Sequence, residues 1–506
     1  MEKLKDIKLV IKPIVFTFHH EYVYEGPCRS GSPDMLTKEY DLAKGERVFV
    51  AQRDAIVKEL GCIEYFELME PVRVATDDNF LSLDSVVRDM SKDDTHVDVY
   101  VIGATSRNCE LPMMLAQYTK KPLVFTPGGY PFMDMIISSM HARGLHEGYN
   151  FLSWDETRSC LEAIRARKVI GQMRILCLSR FGSERNGSAL DNFVDYETVN
   201  QRLGVNFVFS NIHEYLDQTH PYESEKNYTL PGRAALNPTE GDMDEIYRIT
   251  DKLISEAVEC EMEREEVARS VTAYYVVEKM LDAYECNAFM AICPDACATR
   301  RLNQERFTFC LTHSLHHGMG IPSGCEYDGP AVVSMAILGA LGHKPTFMGN
   351  TTHQLWFGEG VGTRGREVEA SSDLPPNTIV TWHAVTNPYM RGFGEPANEY
   401  LLHPFTWSGF GATMRCDFSE DIGQVVTMCR IDPACSKMLV AKGTIAGGIG
   451  YRAEGCNIGV YLTVEDEREF YKKQLLVGNH VPLVYGDCFD EVCMLGEILG
   501  LEVLKA

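Results

Sequence analysis

The sequence has too few basic residues to balance its acidic ones, and this deficit excludes several classes of protein. Over 506 residues, Lys plus Arg number 48 and Asp plus Glu number 72, so the formal net charge is −24 and the isoelectric point is near 5.1. Neither a phosphate backbone nor an anionic lipid surface attracts such a chain. We therefore expect no nucleic-acid partner and no membrane partner.

Long apolar runs are also missing. No stretch approaches the roughly 18 apolar residues that a membrane-spanning helix requires. The amino-terminal segment LVIKPIVFTF is interrupted by Lys12 and Pro13, and no small-residue cleavage site follows it. This pattern predicts a first β-strand there rather than a signal peptide.

Two familiar kinds of motif are absent as well. The chain has no GxxxxGK[ST] phosphate-binding loop, and its Gly-rich segment GGIGYRAEG (447–455) lacks the preceding strand of a dinucleotide site. The 17 cysteines are scattered, odd in number and not arranged in paired CxxC units. Such usage favours a reducing compartment over a disulfide framework or structural zinc, so we expect a cytoplasmic protein.

Length and local patterns indicate several folded domains. At roughly 150 residues per domain, 506 residues correspond to about three. Strand, helix and strand patterns follow one another at 98–127 and again at 174–210, which indicates parallel sheets with crossover helices. From about residue 355, Gly, Pro, Thr and short β-type runs become frequent, which favours two packed sheets or a barrel.

The predicted fold class is therefore α/β, with two Rossmann-like α/β domains followed by a β-rich, barrel-like C-terminal domain. We place the N-terminal α/β domain at 1–170, the second at 171–354 and the β-rich domain at 355–506. Between Thr239 and Cys286, apolar residues at helical spacing predict one or two long helices.

The segment with the most chemistry is GIPSGCEYDGPAVVSMAILGALGHKPTFMGN, from Gly320 to Asn350. Glu326 and Asp328 stand directly ahead of a Gly-Pro step and an apolar helix that runs to about Leu341. Acidic groups at a helix start are stabilised by its dipole and free N–H groups, so a capping role is one interpretation. A catalytic or metal-binding role is the other.

This segment resembles the corresponding part of the L-fucose isomerase and L-arabinose isomerase family of aldose–ketose isomerases. In that family a glutamate precedes an apolar helix, and the strand after the helix ends in a second metal-binding carboxylate. Glu326 matches the glutamate. The strand PTFMGN is expected to end at Asn350, where L-fucose isomerase has an aspartate.

A second match to the family lies near the end of the chain, in LLVGNHVPLVYGDCFDEVCMLGEILGLEVL. The family places a metal-binding histidine after a Gly/Asn-rich turn, ahead of a final helix and strand, and His480 occupies that position. The resemblance implies that Glu326, Asn350 and His480 bind a divalent metal ion, with Mn2+ as the expected ion. It also implies a homo-oligomer, a hexamer or a trimer, with the site near a subunit interface.

Asn350 departs from the family pattern, and the departure leaves the second acid/base group open. An amide oxygen can coordinate a hard divalent ion, but it adds no charge and accepts no proton at neutral pH. The ion should therefore bind more weakly and act as a stronger Lewis acid. Asp328 is the nearest carboxylate for the second catalytic role, beside Glu326 as ligand and base.

Histidines supply the remaining candidates. His383, in the expected strand TIVTWHAV, resembles a strand histidine of isomerase-like relatives and is predicted to contact the substrate or the metal, with the substrate taken as its role. Four others flank the main motif and are weaker candidates: His313, His316, His317 and His353. A packed core histidine is the alternative interpretation at each of them.

The resemblance implies a metal-dependent intramolecular oxidoreductase that interconverts an aldose and its ketose through an enediolate. Its partner would be a small monosaccharide, and pentoses, 6-deoxyhexoses and hexoses modified at C6 are all candidates. A catalytically inactive sugar-binding or sensing protein on the same fold is the main alternative. A metal-dependent lyase or epimerase that acts on open-chain sugars is a third.

Overall fold

A computed structural model of the chain describes residues 2–21, 35, 37–77, 83–103, 110–127, 133–180, 190–222, 235–292, 300–353, 374–406 and 408–506. These residues form fourteen α-helices and both parallel and antiparallel sheets, which confirms the predicted α/β class. Their contacts divide into two compact units, Ile7–Arg165 and Met1–Asp6 with Ala166–Ala506. The limits 1–170, 171–354 and 355–506 stay predictions.

The unit Ile7–Arg165 contains a six-stranded parallel sheet. Its strands are β1 (Leu9–Phe18), β2 (Phe66–Leu68), β3 (Val72–Thr76), β4 (Val99–Gly103), β5 (Leu123–Phe125) and β6 (Gly148–Asn150). Its helices are α1 (Lys38–Leu60), α2 (Leu83–Met90), α3 (Glu110–Thr119), α4 (Met133–Ala142) and the greater part of α5 (Trp154–Gly171). The order in the sheet is β2-β1-β4-β5-β6, with β3 also beside β1.

The predicted first strand is confirmed as β1, and it changes neighbour at Pro13. Residues Leu9 to Ile11 pair with β2, and residues Ile14 to Phe18 pair with β3. Proline has no N–H to donate to a neighbouring strand. Because Pro13 lies between the two paired stretches, its missing N–H interrupts neither of them. Both β1 and β4 are buried along nearly their whole length, as is typical of parallel strands covered on both faces.

The described residues of the larger unit form three sheets. Its strands are β7 (Arg174–Ser179), β8 (Asn206–Asn211), β9 (Glu259–Cys260), β10 (Ala288–Ala291), β11 (Ser323–Gly324), β12 (Thr346–Phe347), β13 (Asn350–His353), β14 (Thr378–Trp382), β15 (Tyr400–Pro404), β16 (Ala412–Cys416), β17 (Val425–Ile431), β18 (Lys437–Ile449), β19 (Gly459–Thr463), β20 (Leu483–Tyr485) and β21 (Glu502–Lys505). One sheet is parallel, with the order β11-β10-β7-β8. A second has the order β12-β20-β17-β18-β19-β14-β13 with β21 beside β18, and the third is β16-β15-β9.

The helices of this unit are α6 (Tyr196–Leu203), α7 (Ile212–Gln218), α8 (Glu240–Glu256), α9 (Arg264–Ala283), α10 (Arg300–Glu305), α11 (Cys310–Met319), α12 (Gly329–Gly342), α13 (Glu467–Gln474) and α14 (Phe489–Ile498). The stretch predicted to hold one or two long helices forms two, α8 and α9. The first begins with a capping box, in which Thr239 and Asp242 satisfy each other's backbone N–H groups. Short strand β9 separates the two helices.

Residues 346–353 supply the strands at both ends of the eight-stranded sheet. Strand β12 pairs with β20, and β13 pairs with β14. Between the two strands, Val481 N donates to Gly349 O over 3.1 Å, and Thr351 N donates to Asn479 O over 3.2 Å. The predicted strand ending at Asn350 is therefore wrong in its boundary, because the strand breaks at 348–349 and Asn350 begins β13. These bonds bring Asn350 opposite His480.

Helix α12 is the apolar helix predicted after Asp328, and nearly every residue in it is buried. A helix that is apolar on all sides is stable only in a core. Asp328 caps its start by accepting a hydrogen bond of 2.8 Å from Ala331 N, and Pro330 occupies the first turn, where no N–H is needed. The helix ends at His343, whose φ of 52° is left-handed.

The first residues of the chain belong to the larger unit. Leu4, in a short 3-10 turn, is buried, and the Lys5 ammonium lies 4.3 Å from the centre of the Phe393 ring. Both side chains line a small cavity together with Met335 of α12. The chain therefore leaves this unit after Asp6 and returns to it at Ala166.

Candidate metal centre

Glu326 lies on a strained turn between β11 and α12. Glu326 has φ 58° and ψ 20°, and Tyr327 has φ 61°, so two successive non-glycine residues adopt the left-handed conformation. Each costs roughly 1–2 kcal/mol, and such strain persists only where the surroundings impose it. Tyr327 is fully buried, and Asp328 is fixed as the cap of α12. The turn therefore presents the Glu326 side chain in a defined direction.

Three side chains from distant parts of the chain converge at this turn: Glu326, His383 and His480 each offer a ligand atom within 4.8 Å of the others. Nε2 of His383 lies 3.6 Å from Glu326 Oε1, and Nε2 of His480 lies 3.7 Å from Glu326 Oε2. Both histidines are only 1% exposed. His383 directly follows β14 instead of lying within it, so the predicted strand TIVTWHAV is too long by several residues.

Three of the four ring nitrogens at this centre lack hydrogen-bond partners. Both nitrogens of His383, and Nε2 of His480, are buried without one. The two distances to Glu326 exceed those of N–H···O bonds, and leaving a buried polar atom unpaired costs free energy. Two imidazole nitrogens and a carboxylate are a common ligand set for divalent ions. The donor set and the unpaired nitrogens therefore fit a metal ion bound by Glu326, His383 and His480.

Charges at the centre suit a cation. Burial raises the pKa of Glu326, but the neighbouring His383 and His480 lower it by more, so the carboxyl is ionised at neutral pH. Burial lowers the pKa of His383, which keeps that ring neutral. A neutral imidazole and an ionised carboxylate are the forms in which these side chains bind metals.

Asp328 contacts His480 at Nδ1, whereas Nε2 of the same ring faces Glu326. Oδ2 of Asp328 lies 2.8 Å from His480 Nδ1 and accepts a hydrogen bond of 2.8 Å from Arg430, while Oδ1 accepts from Ala331 N. Burial raises the pKa of Asp328, but Arg430 and His480 lower it to about 2. An ionised carboxylate only accepts, so Nδ1 of His480 carries a proton and Nε2 is the atom directed at Glu326. Burial lowers the pKa of His480, but the hydrogen bond to Asp328 and the charges of Asp328 and Glu326 raise it above its usual value, so a metal ion at Nε2 would take the place of a proton there.

Asn350, the third ligand predicted from the sequence, lies opposite His480, and its role as a ligand stays a prediction. Its side-chain oxygen accepts a hydrogen bond from the Asn479 amide. The group of ligand atoms described above holds Glu326 and His480 of the predicted ligands, with His383 as its third member. The pairing of Asn350 with Trp382 across β13 and β14 explains the proximity, because His383 is the next residue along the chain. The sequence left substrate contact and metal contact open for His383, and its place in this group favours the metal.

The other predicted histidines form a separate cluster, here called the α11 histidine group: His313, His316 and His317. Nδ1 of His313 and Nδ1 of His316 lie 2.7 and 3.0 Å from the Ser323 hydroxyl. His317 Nε2 lies 2.7 Å from the Ser323 carbonyl oxygen. The group thus holds Ser323 three residues ahead of Glu326. Strand β13 contains His353, whose side chain lies outside the described residues.

A second possible ligand group lies in the unit Ile7–Arg165, formed by His19, Glu21 and Asp77. It is less suited to a cation. The ammonium of Lys38 donates to Glu21 at 2.7 and 2.8 Å, so a positive charge already neutralises that carboxylate. The Glu21 side chain is also about two-fifths exposed, twice as much as that of Glu326.

Comparison of the chain with known protein families and with curated proteins finds no match. The resemblance to the aldose–ketose isomerases therefore depends on the two quoted motifs alone. Among the described residues, no helix is both long enough and apolar enough to cross a membrane.

Proposed function

We propose that this protein is a metal-dependent isomerase that interconverts an aldose and its ketose. The observation that carries the proposal is the set of unpaired Nε2 atoms of His383 and His480, which face the ionised carboxylate of Glu326. Such an arrangement fits a metal ion, and the resemblance to the L-fucose and L-arabinose isomerases connects that ion with sugar isomerisation.

In this proposal Glu326, His383 and His480 hold the ion. When bound, a divalent ion polarises the carbonyl of an open-chain sugar and stabilises the enediolate formed from it. Glu326 has the chemistry to carry the proton between C1 and C2, because its carboxyl is ionised and about one-fifth exposed. Asp328 has both oxygens engaged, so its part is to orient His480.

Mn2+ is the ion that the resemblance implies. Two imidazoles and one carboxylate would also accept Zn2+ or Fe2+, so the choice of ion belongs in the experiment. The resemblance further implies a cytoplasmic homo-oligomer, a hexamer or a trimer, and both properties are part of the proposal.

The finer features of the fold are proposed with the function. The parallel sheets β2-β1-β4-β5-β6 and β11-β10-β7-β8 are compatible with two Rossmann-like domains. Pairing of 346–353 with both ends of the eight-stranded sheet supports a barrel-like closure. In such a closure, Asn350 and His480 lie opposite each other where the two ends of the sheet meet.

Ketose formation tests the proposal directly. Metal-stripped protein is incubated with each of Mn2+, Zn2+ and Fe2+ and a panel of aldoses that includes pentoses, 6-deoxyhexoses and hexoses charged at C6. We expect ketose only when an ion is present. An aldehyde fragment or a 2-epimer as the product would support a lyase or an epimerase instead.

The variant Glu326→Gln removes the charge and keeps the shape. We expect it to lose at least about 1,000-fold in turnover, because a ligand and the base are removed together. Thermal unfolding of the metal-free variant should match that of the metal-free parent to within a few degrees. Full activity in the variant would overturn the assignment. A parent that binds the ion and sugar but forms no product would support the sugar-binding alternative.

A further inference from the structure

Arg430 of β17 is a buried cation immediately behind the metal centre, and its guanidinium contacts four residues. Nη1 donates to Asp328 Oδ2 at 2.8 Å and to the His480 carbonyl oxygen at 2.6 Å. Nε donates to the Val477 carbonyl oxygen at 2.9 Å, and Nη2 donates to Asp191 Oδ2 at 3.0 Å. The side chain is fully buried. It therefore binds both ends of the turn 477–480 as well as the carboxylate that orients His480.

The turn itself is built around this contact. Gly478 has φ 125°, and a Cβ there would lie 2.6 Å from Arg430 Nε and 2.5 Å from Asp191 Oδ2. Asp191 Oδ2 also accepts a hydrogen bond of 2.8 Å from Asn479 N. Only glycine allows the backbone to approach the guanidinium so closely. The Gly/Asn-rich turn ahead of His480 is thus shaped by Arg430 and Asp191.

We propose that Arg430 is a positioning residue, which holds the turn 477–480 and Asp328 so that His480 Nε2 is directed at Glu326. The proposal rests on the function proposed above only in the identity of the ion. A planar guanidinium with five N–H groups can bind several fixed acceptors at once, whereas an ammonium is a point donor on a flexible stem. Lysine at this position would therefore keep the charge and lose the geometry.

A purely structural role makes a different prediction. If Arg430 only neutralised the buried Asp328, its replacement by lysine would lower stability and leave the His480 ring unchanged. The chain offers a matched control in Arg415 of β16, which is also fully buried and donates to the carbonyl oxygens of Gly450 and Gly455. Its contacts do not include the residues of the metal centre.

The first readout needs neither ion nor sugar. In metal-free protein at about pH 9, where a free imidazole is neutral, 15N NMR of the His480 ring reports which nitrogen carries the proton. We expect a single Nδ1–H form in the parent and in Arg415→Lys, and a mixture of both tautomers in Arg430→Lys. An unchanged tautomer in Arg430→Lys would overturn the proposal.

The second readout is the affinity for Mn2+, measured by titration with detection of the free ion. Changes in groups that orient metal ligands typically weaken binding by about 10–100-fold, and we expect a loss of that size in Arg430→Lys. Arg415→Lys should stay within about twofold of the parent. Equal affinities in the two lysine variants would contradict the proposal.

Asp191→Asn covers the case in which Arg430→Lys fails to fold. Its side chain is partly exposed, so the substitution is milder, yet it weakens the contacts to Arg430 and to Asn479 N. We expect an approximately threefold to tenfold loss of Mn2+ affinity with the fold retained, and unchanged affinity would count against positioning. Failure of the proposed isomerase activity remains distinguishable, because the tautomer is measured without turnover.

Discussion

Two clusters of buried histidines lie in the larger unit, and they differ in what their ring nitrogens contact. In the α11 histidine group, His316 has Ser323 on one nitrogen and Glu278 on the other, at 3.0 and 2.9 Å. His317 lies between the carbonyl oxygens of Val385 and Ser323. At the metal centre, His383 has no partner on either nitrogen. Burial and crowding are thus shared by the two clusters, which differ in the partners of their ring nitrogens.

His313 shows why an unpaired nitrogen alone is insufficient. Its Nε2 is buried without a hydrogen bond, as at the metal centre. Among the described residues, however, no group of three possible metal ligands includes His313. A site needs both the unpaired nitrogen and a carboxylate that faces it. Glu326 supplies that carboxylate for His383 and His480.

Replacing histidines in the two clusters should produce the largest difference in Mn2+ affinity. We expect His383→Gln and His480→Gln to weaken Mn2+ binding by at least about 100-fold, because each removes one of three ligands. His316→Gln and His317→Gln should keep the affinity within about threefold and lower the unfolding free energy by roughly 1–3 kcal/mol through lost buried hydrogen bonds. Titration with Mn2+ and urea unfolding measure the two effects. Loss of Mn2+ binding in His316→Gln or His317→Gln would contradict the distinction between the two histidine clusters.

Lowering the pH should destabilise the fold through the α11 histidine group. Burial lowers the pKa of His317 to about 4, although the carbonyl oxygens of Ser323 and Val385 favour the charged ring. The unfolded chain takes up this proton near pH 6.5, so the stability from His317 is complete above that pH and is lost as the pH falls towards 4. The difference is worth about 3 kcal/mol.

Urea unfolding of metal-free protein at about pH 7.5 and about pH 4.5 tests this dependence. The parent should lose roughly 2–3 kcal/mol more than His317→Gln over that interval, because the glutamine does not titrate. Equal losses in the two proteins would show that folding leaves the pKa of His317 unshifted, and a smaller loss in the parent would show that folding raises it.

The smallest effect is expected at Glu278 of α9. This carboxylate contacts the α11 histidine group, as Glu326 contacts the histidines of the metal centre. Glu278 contacts His316 at 2.9 Å but is about one-third exposed. An amide oxygen can still accept from that ring, so Glu278→Gln should cost less than about 1 kcal/mol. It should leave Mn2+ affinity and turnover unchanged, in contrast to Glu326→Gln. A large loss of activity in Glu278→Gln would show that Glu278 and the α11 histidine group also contribute to the metal centre.

The fold class followed from local patterns, because alternating strands and helices are written in the order of the chain. The first strand, the parallel sheets and helix α12 could be predicted in this way. The break at 348–349 could not, since it depends on pairing with Asn479 and Val481, over 100 residues away. Strand ends set by long-range pairing leave little trace in a single sequence.

The candidate site was predictable in part for the same reason. Glu326 and His480 belong to recognisable motifs, whereas His383 joins them through the pairing of β13 with β14. The contact of Asp328 with His480 spans 152 residues, so proximity to Glu326 in the chain could not reveal it. Arg430 gave only a weak signal, as the one charged residue within the apolar run of β17. A buried charge in such a run is the one sequence feature that could have drawn attention to it.

The discontinuous larger unit has a consequence for the order of folding during synthesis. The strands of Ile7–Arg165 find all their partners within that unit. Leu4 and Lys5, by contrast, pack beside Met335 and Phe393, which lie more than 300 residues further along the chain. At roughly 5–20 residues per second, a ribosome needs on the order of 20–70 s to supply Met335 after Lys5. Leu4 and Lys5 are therefore made long before the residues that they contact in the folded unit.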